Sequence, residues 1–331
     1  MIEPIKAVQL GCGPIGCSIT KLAASKSRID IVGAVDPAFA GGDLGELLDD
    51  RSLNGLTITG DARSTLERTR PDVVLQATSS SLTQVLPQLE EVLEFGVNVV
   101  STCEEMSYPH FHQPKLSEKI DRLAVQRDAT VLASGVNPGF LMDAWPVFMT
   151  GISQDVDSVV CVRRQNAAHR RLPFQRKIGS GLSVDAFRQR VEDGQIRHVG
   201  LPESVAMIAA GISLQLDDIH ETIEPVVAKT DVRSEALSVA AGQVAGVKQV
   251  ANGVIDGAAV IRLEFSAYIG ADDPQDAVHI KGSPDLEVVI PGGVHGDLAT
   301  ASAIVNAVPR VVSAPPGLKT MIDIPPMAAF Q

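Results

Sequence analysis

The stretch Ala7-Val8-Gln9-Leu10-Gly11-Cys12-Gly13-Pro14-Ile15-Gly16 decides the fold. A short apolar run of strand character leads into G-x-G-x-x-G, and the glycines open a helix with Pro14 and Ile15 in its first turn. Gly11 allows a tight turn, Gly13 lets the backbone approach a pyrophosphate, and Gly16 lets helix and strand pack closely. The free amides at the helix start supply the positive pole of an anion site. A lone glycine motif is weak, but a strand before it and a helix after it make the pattern specific.

The next strand, Ile31–Val35, ends at Asp36, 20 residues beyond Gly16. A carboxylate there accepts hydrogen bonds from both hydroxyls of an adenosine ribose, which favours NAD as cofactor. NADP stays open, because Arg63 or another nearby cation could be brought to a 2′-phosphate by a loop. Thr78-Ser79-Ser80, following the run Val73–Ala77, adds hydroxyl donors in the same layer, although polar residues of this kind also suit an ordinary loop.

Further along, Val97–Ser101 and Thr130–Ala133 read as strands, Leu82–Phe95 as a helix ending at Gly96, and Gln113–Arg127 as an amphipathic helix with Leu116, Ile120 and Leu123 inward. Pro87 is expected to bend or shorten the first of these helices. Strands alternating with helices predict an α/β fold, an N-terminal Rossmann doubly wound parallel sheet. After Gly135-Val136-Asn137-Pro138-Gly139 the texture changes to longer alternating segments, Ser158–Arg163, Ala259–Ile269 and Asp285–Ile290, with helices at Val184–Glu192 and Glu203–Leu214. These predict an α+β second domain on a mixed or antiparallel sheet. A final helix, Asp297–Val312, turns Ala301, Ile304, Val305 and Val308 inward, and Pro315-Pro316-Gly317 is expected to close the fold. The expected division is a dinucleotide-binding domain of residues 1–138 and 294–331, and a substrate-binding and dimerisation domain of residues 139–293.

Length and composition agree with two domains. The chain has 331 residues, enough for two cores. Forty acidic against 28 basic side chains give a net charge of -12, which disfavours association with nucleic acid or anionic membranes. No apolar run is long enough to span a bilayer and no signal-peptide pattern precedes the first strand, so a cytoplasmic protein is expected. Cys12, Cys17, Cys103 and Cys161 lack paired spacing and are expected to be reduced thiols.

In doubly wound sheets ligands bind beyond the carboxyl ends of the strands, so Thr102-Cys103-Glu104-Glu105-Met106-Ser107-Tyr108-Pro109 falls beside a nicotinamide. Adjacent glutamates cannot face the same way. Glu104 is taken as the one entering the cleft, with Glu105 as the alternative. Carbonyl reduction calls for a proton donor such as Lys or Tyr, whereas a carboxylate suits ammonium, carbinolamine and iminium species. Cys103 with His110 and His112 lacks the ligand spacing of a tetrahedral metal site, and no metal is expected. Arg163, Arg164, Arg170, Arg171, Arg176 and Lys177 fall within 15 residues free of acids. That cluster suits either an anionic ligand or a subunit interface. His295, in a glycine-rich loop before the last helix, is a further candidate.

Several of these pieces together resemble the 2,4-diaminopentanoate dehydrogenases and native amine dehydrogenases. They are Thr102–Pro109, Gly135–Phe140, Arg170-Arg171 before Pro173, Gly200-Leu201-Pro202-Glu203-Ser204, and Gly296-Asp297 with Asn306-Ala307-Val308-Pro309. The resemblance runs nearly end to end. It implies a dihydrodipicolinate-reductase-like arrangement in which a C-terminal helix returns to the first domain. It also implies a catalytic glutamate, carried over to Glu104, and a pocket wall containing Phe140, Trp145 and the Arg164–Asn166 region. Asn137 and His295 are taken as further substrate-pocket candidates. Diamine enzymes favour an acid near Asn166, where this chain has a neutral amide, so a simpler aliphatic substrate is implied. The expectation is an NAD(P)-dependent amine dehydrogenase, working as a homodimer on a small ketone or aldehyde with ammonia and on the amine in reverse. The alternatives are an ammonia-independent imine or carbonyl reductase and a non-catalytic dinucleotide sensor.

Overall fold

The computed structural model describes residues 3–330. They fall into two compact units. One runs to Phe140 and resumes at His295, and the other is Leu141–Val294.

The first unit alternates β1 (Ile5–Leu10), α1 (Pro14–Ala24), β2 (Ile29–Val35), α2 (Leu44–Leu48), β3 (Ile58–Thr59), α3 (Ala62–Thr69), β4 (Val73–Gln76), α4 (Leu82–Glu94), β5 (Asn98–Ser101), α5 (Pro114–Gln126) and β6 (Thr130–Ala133). Seven strands pair in parallel in the order β15-β6-β5-β4-β1-β2-β3, where β15 is Gly317–Lys319. The expected doubly wound sheet is present, with its order reversing between β1 and β4. The register levels the strand ends: Leu10 lies beside Val35 and Gln76, Gln76 beside Ser101, and Ser101 beside Ala133. Every loop leaving these five strands therefore starts from one edge.

Pro87 does not shorten α4. The helix continues through it to Glu94, because proline forfeits one backbone bond while Leu82, Val85, Leu89, Val92 and Leu93 bury a full face against Val8, Val74 and Val99. Pro315-Pro316-Gly317 does not close the fold either. Gly317, at φ +126°, starts the edge strand β15, and the chain beyond it returns to α1, where Lys26 Nζ donates to the Phe330 carbonyl at 2.8 Å. The last helix, α10 (Gly296–Val312), buries Ala301, Ile304, Val305 and Val308 and packs on α1 and β5.

In the second unit, α6 (Ala144–Met149), β7 (Asp155–Asn166), α7 (Leu172–Lys177), α8 (Val184–Glu192) and α9 (Leu201–Gly211) precede a run of strands. These are β8 (Asp218–Val227), the hairpin β9 (Val232–Arg233) and β10 (Ser238–Val239), β11 (Val244–Ile255), β12 (Ala258–Tyr268), β13 (Gln275–Ser283) and β14 (Leu286–Pro291). Five of these join β7 in a six-stranded mixed sheet, β14-β13-β7-β12-β11-β8, in which only β7 and β12 run parallel. Helix α9 covers one face.

On β7 the alternation buries Val159, Cys161 and Arg163 and leaves Val160, Val162 and Arg164 half-exposed. The first arginine of the basic cluster is thus neither a ligand contact nor an interface residue. Arg163 Nη1 donates to Asp276 Oδ1 at 2.6 Å, with both side chains nearly inaccessible. Its Nη2 donates to the Val294 carbonyl at 3.0 Å, and the Val294 N–H donates to Asp276 Oδ2 at 2.7 Å. Burial lowers the Arg163 pKa and the Asp276 charge opposes that shift. The pair pins the end of the unit through a satisfied network, and removing one partner strands a buried charge. Asp276→Ala is expected to cost about 3–5 kcal/mol, seen as a lower denaturant midpoint for unfolding of the second unit.

Candidate functional site

The level edge of the parallel sheet gathers most of the candidates. At the end of β1, Gly11 adopts φ +92°, and a Cβ there would meet the Ala77 carbonyl oxygen at 2.6 Å. A Cβ on Gly16 would lie 2.0 Å from the Gly11 carbonyl oxygen, which is why helix and turn can approach only through glycine. A Cβ on Gly13 would meet nothing within 4 Å, so this peptide borders open space. Helix α1 begins at Pro14 with no side-chain cap, leaving its first amides to a ligand or water.

Asp36 directly follows β2, with both oxygens bonded to backbone: Oδ2 accepts from Cys12 N–H at 2.7 Å and Oδ1 from Ala38 N–H at 2.9 Å. Its orientation is fixed, and each oxygen keeps lone-pair capacity. Cys12 is no nucleophile, since burial, reinforced by the Asp36 charge and Cys17, pushes its thiol up to about 12. Arg63, considered above as a phosphate ligand, is an exposed residue of α3 engaged with Glu91 and Glu94 and stacked over Phe95.

The hydroxyls after β4 are less available than expected. Thr78 donates to Gln88 Oε1 at 2.7 Å and Ser79 to Gln84 Oε1 at 2.6 Å, so both protons are committed to α4. Ser80 contributes its carbonyl, which accepts from Glu105 N–H at 3.2 Å and from the Cys103 thiol at 3.2 Å. Burial pushes the Cys103 thiol up to about 12 as well.

Beyond β5 the two glutamates separate. They open a short 3-10 turn, Glu104–Met106. Glu105 Oε2 accepts the Leu82 N–H at 2.7 Å and so caps α4, whose own N-cap, Ser81, makes no side-chain capping bond. Glu104 is half-buried, and its carboxylate takes no hydrogen bond or ion pair among the described residues. His110 Nδ1 is bonded to Ser117 Oγ at 2.8 Å, and the described residues contain no metal-binding cluster of His, Cys, Asp and Glu.

Beyond β6 the loop Ser134–Gly139 doubles back tightly: Gly139 is at φ +124°, and a Cβ on it would reach the Gly135 nitrogen at 2.4 Å. Thr300 of α10 supports the loop by accepting the Val136 N–H at 3.3 Å. Asn137 is 8 % exposed, and neither its amide nitrogen nor its amide oxygen has a partner among the described residues; the same holds for Ser134 Oγ. Buried amides are rarely left so. Phe140 is half-buried at the end of this loop, and His295, exposed, is the N-cap residue of α10.

Trp145, Arg164 and Asn166 lie in the second unit. Trp145 is half-buried in the first turn of α6. Arg164 Nη1 donates to the Asp273 carbonyl at 3.3 Å and, with Lys248, Glu264, Ser266 and Tyr268, lines a cavity of about 590 Å³ on the sheet face away from Arg163. Asn166 holds local structure, donating to the Ala271 carbonyl at 3.3 Å and accepting from Ala168 N–H at 3.0 Å.

Residues 140–331 match the family model of the 2,4-diaminopentanoate dehydrogenase C-terminal domain. The chain belongs to the 2,4-diaminopentanoate dehydrogenase family. It is 32% identical to the 2,4-diaminopentanoate dehydrogenase of Acetoanaerobium sticklandii over 98% of this chain and 94% of the other. It is 24% identical to an amine dehydrogenase of Streptomyces virginiae over 97% of this chain and 96% of that one. Among solved structures, an amine dehydrogenase from Mycobacterium smegmatis superposes with a TM-score of 0.85 at 28% identity, covering 98% of this chain and 97% of its own. A dihydrodipicolinate reductase from Paenisporosarcina, 14% identical, shares the fold at a TM-score of 0.51, covering 96% of this chain and 97% of its own. Membership makes this family member a dehydrogenase of the amine dehydrogenase kind.

The cap made by Glu105 is worth about 0.5–2 kcal/mol by analogy with other N-terminal caps. Glu105→Ala is therefore expected to lower the melting temperature by a few degrees, with Glu105→Gln losing less, in a thermal unfolding experiment.

Proposed function

We propose that this protein is an NAD(P)-dependent amine dehydrogenase that interconverts a small ketone or aldehyde plus ammonia with the primary amine, using Glu104 as the catalytic carboxylate. The observation that carries the proposal is the division of labour in the glutamate pair: Glu105 is spent on the Leu82 amide of α4, while Glu104, without a partner among the described residues, stands at the edge of the sheet where doubly wound folds bind ligands.

The residues present fit a dinucleotide. The amides at the start of α1 face the open space beside Gly13 and would hold a pyrophosphate, and the fixed Asp36 carboxylate would receive an adenosine ribose. With Arg63 engaged by Glu91 and Glu94, that carboxylate favours NAD over NADP. When bound, the reduced nicotinamide supplies the hydride. Glu104 takes a proton from ammonium so that the free amine can attack the carbonyl carbon, then assists loss of water from the carbinolamine and stabilises the iminium cation by its charge. In reverse, it activates the water that attacks the iminium. Asn137, whose amide has no partner among the described residues, is with Phe140 and His295 a substrate-contact candidate of the first unit. Trp145, Arg164 and Asn166 are the candidates of the second unit. The neutral side chain of Asn166 argues for a monoamine rather than a diamine product.

Oxidation of NADH in the presence of short aliphatic ketones or aldehydes is expected to depend on added ammonium and to exceed oxidation of NADPH. Glu104→Gln should lower kcat by about a hundredfold or more, with Glu105→Gln within a few-fold of the parent. The opposite ranking would move the role to Glu105. Turnover without ammonium would instead mark an imine or carbonyl reductase, and tight NADH binding with no turnover a dinucleotide sensor.

We further propose a homodimer through the uncovered face of the second sheet, where Val160, Val162 and Val260 surround the ion ladder Lys248–Glu264–Arg262. Light scattering should report twice the 34.9 kDa chain mass, and a single chain mass would sink the idea.

A further inference from the structure

A buried chain of amides and hydroxyls runs beneath the strand ends of the first unit. Gln76, the last residue of β4, is 1 % exposed, and Val73, Val74 and Leu75 before it are all apolar and buried. Its Nε2 donates to Gln88 Oε1 on α4 at 2.8 Å, the same oxygen that receives the Thr78 hydroxyl. Its Oε1 accepts the Ser101 hydroxyl at 2.9 Å, and Ser101 Oγ accepts the Cys103 N–H at 3.1 Å. The direction is determined at Ser101: its single proton goes to Gln76, which leaves a lone pair for the Cys103 amide.

An apolar side chain at position 76 would fill a strand interior without desolvating an amide, and buried polar groups are tolerable only when fully bonded. Here two of the bonds run from Gln76 through Ser101 to the Cys103 N–H, one residue before Glu104, and the others tie Gln76 and Thr78 to α4. Helix α4 holds the far side of the same turn through the Leu82 N–H on Glu105. One helix thus braces the Glu104 turn at both ends.

We propose that Gln76 is a positioning residue for Glu104. Through Ser101 and the Cys103 amide it fixes the turn that aims the Glu104 carboxylate, and through Gln88 it ties that aim to the Thr78 loop at the cofactor edge. The inference rests on Glu104 being the catalytic carboxylate.

The test compares Gln76→Leu and Ser101→Ala with the parent in three measurements: backbone hydrogen exchange across residues 102–106, NADH affinity by fluorescence, and turnover with butanone, ammonium and NADH. Exchange in that segment should accelerate about tenfold or more, while NADH affinity stays within about twofold of the parent. The kcat should fall about ten- to hundredfold, the scale of a small misplacement of a catalytic group. In a Glu104→Gln background, either substitution should leave the residual rate nearly unchanged, because its effect runs through Glu104. Unaltered exchange in both variants, or an equal further loss in the Glu104→Gln background, would overturn the relay. Full activity of both variants beside an inactive Glu104→Gln enzyme would overturn it while leaving the Glu104 assignment intact, whereas a fully active Glu104→Gln enzyme would overturn both. Should Gln76→Leu fail to fold, Ser101→Ala, which removes one hydroxyl, decides the matter by the same measurements.

Discussion

The closeness of Gly16 to the Gly11 carbonyl is the constraint on which the rest of the first unit depends. Only a residue without a Cβ lets α1 start directly above the end of β1, and that placement aims the unbonded amides of the helix at the sheet edge. The parallel register then brings Asp36, Thr78, Glu104 and Asn137 to the same edge, each one loop beyond its own strand. The electrostatics follow from this geometry: backbone dipoles offer positive charge at the turn, while carboxylates stand at either side of it.

The fold was legible where periodicity and punctuation were strong. Thr130–Ala133 and Val184–Glu192 match β6 and α8 residue for residue, since a short β-branched run and a serine-capped amphipathic segment each satisfy one period only. The elements that escaped had other reasons to exist. β3 and β15, of two and three residues, are too short to carry a period and form because a neighbouring strand offers its edge. β8 is an edge strand whose outward His220, Thr222 and Glu224 dilute its apolar side, and β11 carries Gly246, which abuts the Ala267 carbonyl and reads as a turn when seen alone.

At the site, sequence position alone placed a glutamate pair beyond β5. What separates the two is the N-terminus of a helix 23 residues upstream of Glu105, a distance no local pattern spans. Gln76 and Ser101 were equally silent, because single polar residues in short strands carry no motif, and their meaning lies in bonds across two strands and a helix. The basic cluster divides for a similar reason. Arg163 and Arg164 are consecutive in sequence, but the strand turns one into a buried ion pair and the other to the open face.

The return of the chain to its starting unit has a consequence for how the molecule comes into being. Helix α10 packs against α1, and β15 completes the sheet, yet both are translated after the whole second unit. Until they emerge, α1 lacks the cover of α10 and β6, paired with β5, has a free outer edge, while the second unit is already complete in sequence. A chain interrupted after Val294 leaves the earlier-made half unfinished, so the quality of the N-terminal unit is decided by the last residues to emerge.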